Sequence, residues 1–241
     1  MTTKRRTTIV TGTRSGMGKA VAMLLAERGE RVIGLDVADA HINADLSTAE
    51  GRQSGVDAAI ALSGSSIDAV IACAGVAVSD GPQTVSVNYF GVVDLINGLH
   101  PILAAGQMPR VVVVASSANM LSTDAAIVSA CLNHDEALAR DKAVNNPDAY
   151  ASSKLAITRW IRRTAITAGW ADKGVLMNGI APGLVRTAMT APLLETVEGR
   201  EILARSAPFV TPSNAKRRKK TSTKTNRATI KSRESGRCCP K

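Results

Sequence analysis

Short runs of β-branched and apolar residues alternate along the chain with longer stretches in which apolar side chains return every three or four positions. A short continuous apolar run between turn residues marks a buried strand, and a return near every 3.6 residues marks a helix with one buried stripe. The pattern predicts strands at Thr7 to Thr11, Arg31 to Leu35, Ile67 to Ala72, Arg110 to Ala115 and Gly174 to Asn178, with a short one at His41 to Ala44 flanking the second. It predicts helices at Met17 to Arg28, Gly55 to Leu62, Val85 to Leu103 and Asp148 to Ala168. Ser117 to Asn146 reads as an insertion whose central part, Ala125 to Ala143, is also helical. Strands alternating with helices call for an α/β domain, a doubly wound parallel sheet covered on both faces.

The chain of 241 residues is 45% hydrophobic and 2% aromatic, enough for one domain whose core is built from Ala, Val, Ile and Leu rather than rings. A formal charge of +10 would suggest a polyanionic partner. Its distribution changes that reading. Eleven of the 30 Lys and Arg, but only Glu234 of the 20 acids, lie from Asn214 onward. Residues 1–213 are therefore neutral, and residues 214–241 form a basic tail with almost nothing apolar to bury, expected to be disordered. Cys73, Cys131, Cys238 and Cys239 show neither metal-ligand spacing nor a paired framework, which fits a reducing cytoplasm. The apolar run after Lys4 to Arg6 is only Ile9 and Val10, too short for a signal segment or a membrane span. A soluble, cytoplasmic protein without membrane attachment is expected. His41, His100 and His134 stand isolated and read as surface or packing residues, Cys73 as a small buried one, and no metal is expected.

Candidate chemistry begins where the first strand ends. Gly12, Thr13, Arg14, Ser15, Gly16, Met17 and Gly18 form a glycine-rich turn that opens a helix. Glycines let the backbone approach a pyrophosphate, and the helix start offers unpaired N–H groups and a positive dipole end. The second strand ends at Asp36, whose carboxylate can accept both ribose hydroxyls of an adenosine and repels a 2′-phosphate, so NAD is favoured over NADP. Arg14 either neutralises Asp36 or holds a phosphate, or is simply solvated. Further on, Tyr150 and Lys154 lie four apart, on one face of a helix. A free phenol titrates near ~10, so working at neutral pH takes roughly 4 kcal/mol of phenolate stabilisation. The ammonium of Lys154, with the positive charge of an oxidised nicotinamide, is the available source.

The glycine turn, Ala74-Gly75 after the fourth strand, a serine after the fifth and the Tyr150-to-Lys154 helix together resemble the short-chain dehydrogenase/reductase family, over about Thr7 to Thr187. Ala44 to Arg52, Val85 to Gly91 and the insertion are most similar to its bacterial 3α-hydroxysteroid dehydrogenase/carbonyl reductase branch. The resemblance implies a Rossmann-type fold and NAD(H)-dependent interconversion of a secondary alcohol and a ketone, with a small apolar substrate of the steroid or carbonyl kind. It implies that Tyr150 moves the proton, that Lys154 also bonds the nicotinamide ribose, and that Asn88 supports a water chain to the lysine. Of Ser116 and Ser117, either of which can hold the substrate oxygen, the family pattern favours Ser117. Asp45 and Leu46 would contact adenine. Pro182, Gly183, Val185 and Thr187 would close over the carboxamide.

The chain departs from the family in two places. Ala72-Cys73-Ala74-Gly75 replaces the usual Asn-Asn-Ala-Gly, which is expected to loosen the central strand. Pro192 to Leu203 can form an amphipathic lid, but beyond Ser213 the family's last helix and edge strand give way to the basic tail. The strand near Asn178 would then be an exposed edge. A shifted reading frame or a truncation is the expected origin of such a tail. A tail that binds nucleic acid nonspecifically, and a dinucleotide-binding protein with impaired turnover, are the competing readings. A homo-oligomer is expected where the fold is complete.

Overall fold

The first strand, β1 (Thr7–Thr11), is buried at every position, as a strand covered on both faces must be. A computed structural model of the chain describes residues 5–64, 66–197, 200 and 201. Around β1 lie β2 (Arg31–Asp36), β3 (Ile42–Asn43), β4 (Ala69–Ala72), β5 (Arg110–Val114) and β6 (Leu176–Ile180). They form one six-stranded sheet in the order β3-β2-β1-β4-β5-β6, with every pairing parallel. This is the doubly wound Rossmann-type α/β fold. Asp68, at the entry to β4, is a buried carboxylate satisfied by the N–H groups of Thr7 and Gln107, each at 2.8 Å.

The helices are α1 (Gly16–Glu27), α2 (Ala49–Ser63), α3 (Gly81–Val85), α4 (Gly91–Ala104), α5 (Ala125–Leu132), α6 (Glu136–Ala143), α7 (Ala149–Thr164), α8 (Ala168–Ala171) and α9 (Ala191–Leu194). Several begin earlier or break sooner than apolar periodicity predicts, and caps explain the difference. Thr48 accepts the Gly51 N–H at 3.0 Å and starts α2 well before Gly55. Asp80 accepts the Gln83 N–H at 2.9 Å and starts α3 ahead of Val85. Asp124 and Asp135 each cap a helix, so the single helix expected over Ala125 to Ala143 is two, parted at His134, whose φ is +59°. The helix expected to reach Ala168 ends at Thr164, and a separate turn, α8, follows.

Between α3 and α4 the chain widens into a π-helical turn, Ser86–Phe90, in which the Gly91 N–H bonds the Ser86 carbonyl five residues back. Gly91 is required there because a Cβ would lie 2.9 Å from that of Leu46. The core fills both faces of the sheet with Ile9, Leu35, Val70, Val113, Leu95, Leu99 and Ile157. At the far edge the Trp160 and Trp170 rings meet edge-on with centroids 6.5 Å apart, and His100 lies 4.3 Å from Trp170 while its Nε2 is 2.8 Å from the Gly169 carbonyl. Strand β6 pairs only with β5 among the described residues, and its Leu176 and Ile180 are about half exposed. The basic segment 214–241 and the end of the expected lid at Leu203 lie outside the described residues.

Candidate active site

Strand order reverses between β1 and β4, so the loops leaving their carboxyl ends diverge and open a crevice. A cavity of about 600 Å³ occupies it. The glycine turn lines one side with Gly12, Arg14, Ser15, Gly16, Met17 and Gly18. Gly12 has φ +75°, and a Cβ there would press on the Ala74 backbone at 2.9 Å. A Cβ on Gly18 would overlap the Gly12 carbonyl, so helix and turn pack backbone to backbone. The first turn of α1 carries no acidic residue, and Ser15 makes no side-chain cap bond. Its amides are thus left for an anionic group in the crevice.

Asp36, Asp45 and Leu46 form the next wall. The Asp36 carboxylate accepts the N–H groups of Arg14 at 2.9 Å and Val37 at 2.7 Å, which fixes its plane. The Arg14 guanidinium does not neutralise it; it pairs with exposed Asp39 at 3.4 Å. Asp45 accepts from the Ser47 N–H at 2.9 Å. Thr13 departs from its expected place: its side chain packs over Gly34, where the missing Cβ leaves room, and does not line the cavity.

Ala74 and Gly75 line the floor. Thr11, marked in the sequence only by its place at a strand end, holds this segment: its hydroxyl oxygen accepts the N–H groups of Cys73 at 3.1 Å and Ala74 at 2.9 Å. Cys73 is not the enclosed residue expected of it. It is half-buried on the cavity floor, because β4 ends at the crevice. Burial pushes its thiol up to about 11, against the opposing pull of Lys154.

Helix α7 brings Tyr150 and Lys154 to the floor. Tyr150 lines the cavity. Lys154 is buried beneath it, its Nζ 5.8 Å from the centre of the Tyr150 ring and 3.3 Å from the Val114 carbonyl. Burial drives its ammonium down to about 8, with Cys73 opposing. An ammonium has three protons to donate, and this one has a single protein acceptor among the described residues. A Cβ on Gly75 would stand 3.2 Å from that nitrogen and 3.0 Å from Asn88 Oδ1.

Asn88 lies under the floor rather than in the wall. Its Oδ1 accepts the Val76 N–H at 2.8 Å, and its Nδ2 donates to the Val76 carbonyl at 2.9 Å and to Ser153 Oγ at 3.2 Å. Ser153 in turn donates to the Tyr150 carbonyl at 2.7 Å. Of the two serines after β5, Ser116 lines the cavity with its hydroxyl oxygen capping the Ala118 N–H at 3.2 Å. Ser117 is exposed beside the lining residues, its N–H bonded to the Pro182 carbonyl at 2.9 Å. Pro182, Gly183, Val185 and Thr187 close the far wall. Thr190, not foreseen, fixes their fold by accepting the Thr187 N–H at 3.0 Å and donating to the Val185 carbonyl at 2.6 Å. Among the described residues no group of three or more His, Cys, Asp or Glu is disposed to hold a metal, and no helix is long and apolar enough to cross a membrane.

A family model described as the NAD dependent epimerase/dehydratase family matches residues 8–178. The 3-alpha-hydroxysteroid dehydrogenase/carbonyl reductase of Comamonas testosteroni is 34% identical over 213 residues, 83% of this chain and 80% of that protein. The chain belongs to the short-chain dehydrogenase/reductase family. Among solved structures, the 3-alpha-hydroxysteroid dehydrogenase from Pseudomonas sp. B-0831 complexed with NADH superimposes with a TM-score of 0.73 at 34% identity, covering 87% of this chain and 91% of that one. The aldohexose dehydrogenase of Thermoplasma acidophilum, at 19% identity and a TM-score of 0.64 over 83% of this chain and 77% of its own, shares the fold. This member of the family is thus an oxidoreductase acting on CH–OH groups with a nicotinamide dinucleotide, and its crevice has the glycine cradle and the unfilled ammonium that such a cofactor fits.

Proposed function

We propose that this short-chain dehydrogenase/reductase interconverts a secondary alcohol and a ketone with NAD(H), through Tyr150, Lys154, Ser117 and Asn88. The observation that carries the reading is the buried Lys154 ammonium, underfilled with acceptors and one helical turn from the Tyr150 hydroxyl. When bound, the nicotinamide supplies or accepts the hydride. Tyr150 gives its proton to the carbonyl oxygen in reduction and takes one from the alcohol in oxidation. The spare protons of Lys154 suit the hydroxyls of a ribose. Ser117, with its hydroxyl free of hydrogen bonds among the described residues, holds the substrate oxygen against Tyr150. Asn88 stands under the lysine as the anchor for a water link.

Asp36 on the cavity wall, with Arg14 drawn away to Asp39, supports NAD over NADP. The NADH held by the Pseudomonas relative agrees with that preference. An apolar substrate is supported by Val185 and Met189, exposed on the cavity wall, and by the hydroxysteroid and carbonyl substrates in the Comamonas relative's name. A dinucleotide-binding protein with weak turnover is the second reading, favoured by the β6 edge, which has no further strand partner among the described residues. The test is consumption of NADH and of NADPH with a panel of steroid and aromatic ketones, on wild type and Tyr150→Phe. NADH should be preferred, and Tyr150→Phe should lose about a thousandfold in kcat with NADH affinity kept. Equal rates in the two proteins would remove Tyr150 from the chemistry, and tight NADH binding without turnover would favour the second reading.

A further inference from the structure

A polar network outside the cavity ties the insertion to the π-helical turn that carries Asn88. Arg52 on α2 is 4% exposed. Its Nη groups grip both carboxylate oxygens of Glu136, the first residue of α6 in the insertion. One of them also donates to the Leu46 carbonyl at 3.3 Å. Arg52 Nε lies 2.7 Å from Asp94 Oδ2, at the distance but not the angle of a hydrogen bond, and Asp94 also meets His134 at 3.1 Å. Glu136 Oε1 then accepts the Ser86 hydroxyl at 2.7 Å, and Arg140 donates to that same hydroxyl at 2.7 Å. Ser86 is fully buried and opens the π-helical turn.

A π turn holds one residue more than the α-helix around it, so it persists only where something favours the wider ring, and such turns cluster at functional sites. Here the extra residue rotates Asn88 toward Val76, Ser153 and the floor beneath Lys154. We infer that Glu136 is a positioning residue: by clamping the Ser86 hydroxyl it sets the π turn, and through that turn the aim of Asn88 at the floor of the active site. The insertion thus acts on the reaction end of the crevice through Ser86, and through Arg52 it reaches Leu46 at the adenosine end. The inference rests on the dehydrogenase reading for its effect on turnover, but the geometric part does not.

The readout that needs no turnover is hydrogen exchange at the Val76 amide, which donates to Asn88 Oδ1. Ser86→Ala removes the clamped hydroxyl and leaves the Arg52 and Glu136 charges in place. It should speed exchange at Val76 by about tenfold, the equivalent of ~1.4 kcal/mol, while the Cys73 and Ala74 amides held by Thr11 stay as in wild type. In turnover it should lower kcat severalfold with the NADH Kd unchanged, and Asn88→Ala in the same chain should add less than it does alone. Glu136→Ala should speed exchange at Val76 as Ser86→Ala does, and Glu136→Gln, which keeps an acceptor for Ser86, should restore most of the protection. Wild-type exchange at Val76 in Ser86→Ala, or equal acceleration at all three amides, overturns the inference. A wild type that binds NADH but reduces no ketone overturns the dehydrogenase reading instead, and the exchange result still decides this one.

Discussion

The two walls of the crevice are built differently. On the glycine side, backbone meets backbone: Gly18 against Gly12, Gly12 against Ala74, and Asp36 held by two amides. Little in that wall can move without a clash. The wall after β6 is held by Thr190 and otherwise presents Val185 and Met189 to solvent, 39% and 47% exposed. An apolar rim of this kind has reason to persist only if a substrate or another part of the chain covers it. In the proposed reading, the contrast makes cofactor recognition a matter of sterics and substrate recognition one of removable apolar area. Substitutions on the first side should therefore act nearly all-or-none, and those on the second by degrees.

The sharpest break is Gly18→Val, which forces the turn off the helix start. NADH affinity, followed by its fluorescence, should fall by more than about a hundredfold, or ~2.7 kcal/mol; a change under threefold would mean that the turn does not hold the cofactor. Next is Lys154→Met, which separates function from stability. The unfolded lysine titrates at 10.5 and the folded one at about 8. The folded state therefore binds fewer protons between these values, and this group's contribution to stability rises with pH across that window and is at its worst below 8. At pH 7 the variant should lose ketone reduction yet gain up to about 3 kcal/mol of stability. Thermal unfolding should show the gain shrinking from pH 8 upward; a variant less stable at pH 7 would contradict the burial argument. The mildest is Met189→Ser, which should raise KM for an apolar ketone by about fivefold, one small apolar contact's worth, with NADH affinity and kcat nearly kept. A hundredfold effect there would place Met189 among the groups that fix the reacting geometry.

The sheet was legible because each strand is a short apolar run punctuated by Gly, Asp or Pro, and the glycine turn because its spacing leaves the backbone no room for side chains. Tyr150 and Lys154 could be paired by helical spacing alone. What stayed hidden depends on partners distant in the chain. Nothing near Ser86 announces a π turn, because its causes are Glu136 in the insertion and Leu46 across Gly91. Arg52 reads as a solvent-facing charge until Asp94 and Glu136 are seen around it. Thr11 reads as one more β-branched strand residue, although it ties the Cys73-Ala74 segment where the family carries an Asn. The side chain of Thr13 turns to Gly34 for the converse reason: proximity in sequence to glycines says nothing about which side of the turn a side chain takes.

Both tryptophans of the chain, Trp160 and Trp170, sit together where α7, α8 and β6 meet. All indole emission consequently originates from one corner of the molecule. A melting curve recorded by that emission follows the corner's loss of order, with the His100 ring tilted against Trp170 at 4.3 Å. The glycine turn contributes nothing to it, so calorimetry or far-ultraviolet dichroism must accompany any claim about the molecule as a whole.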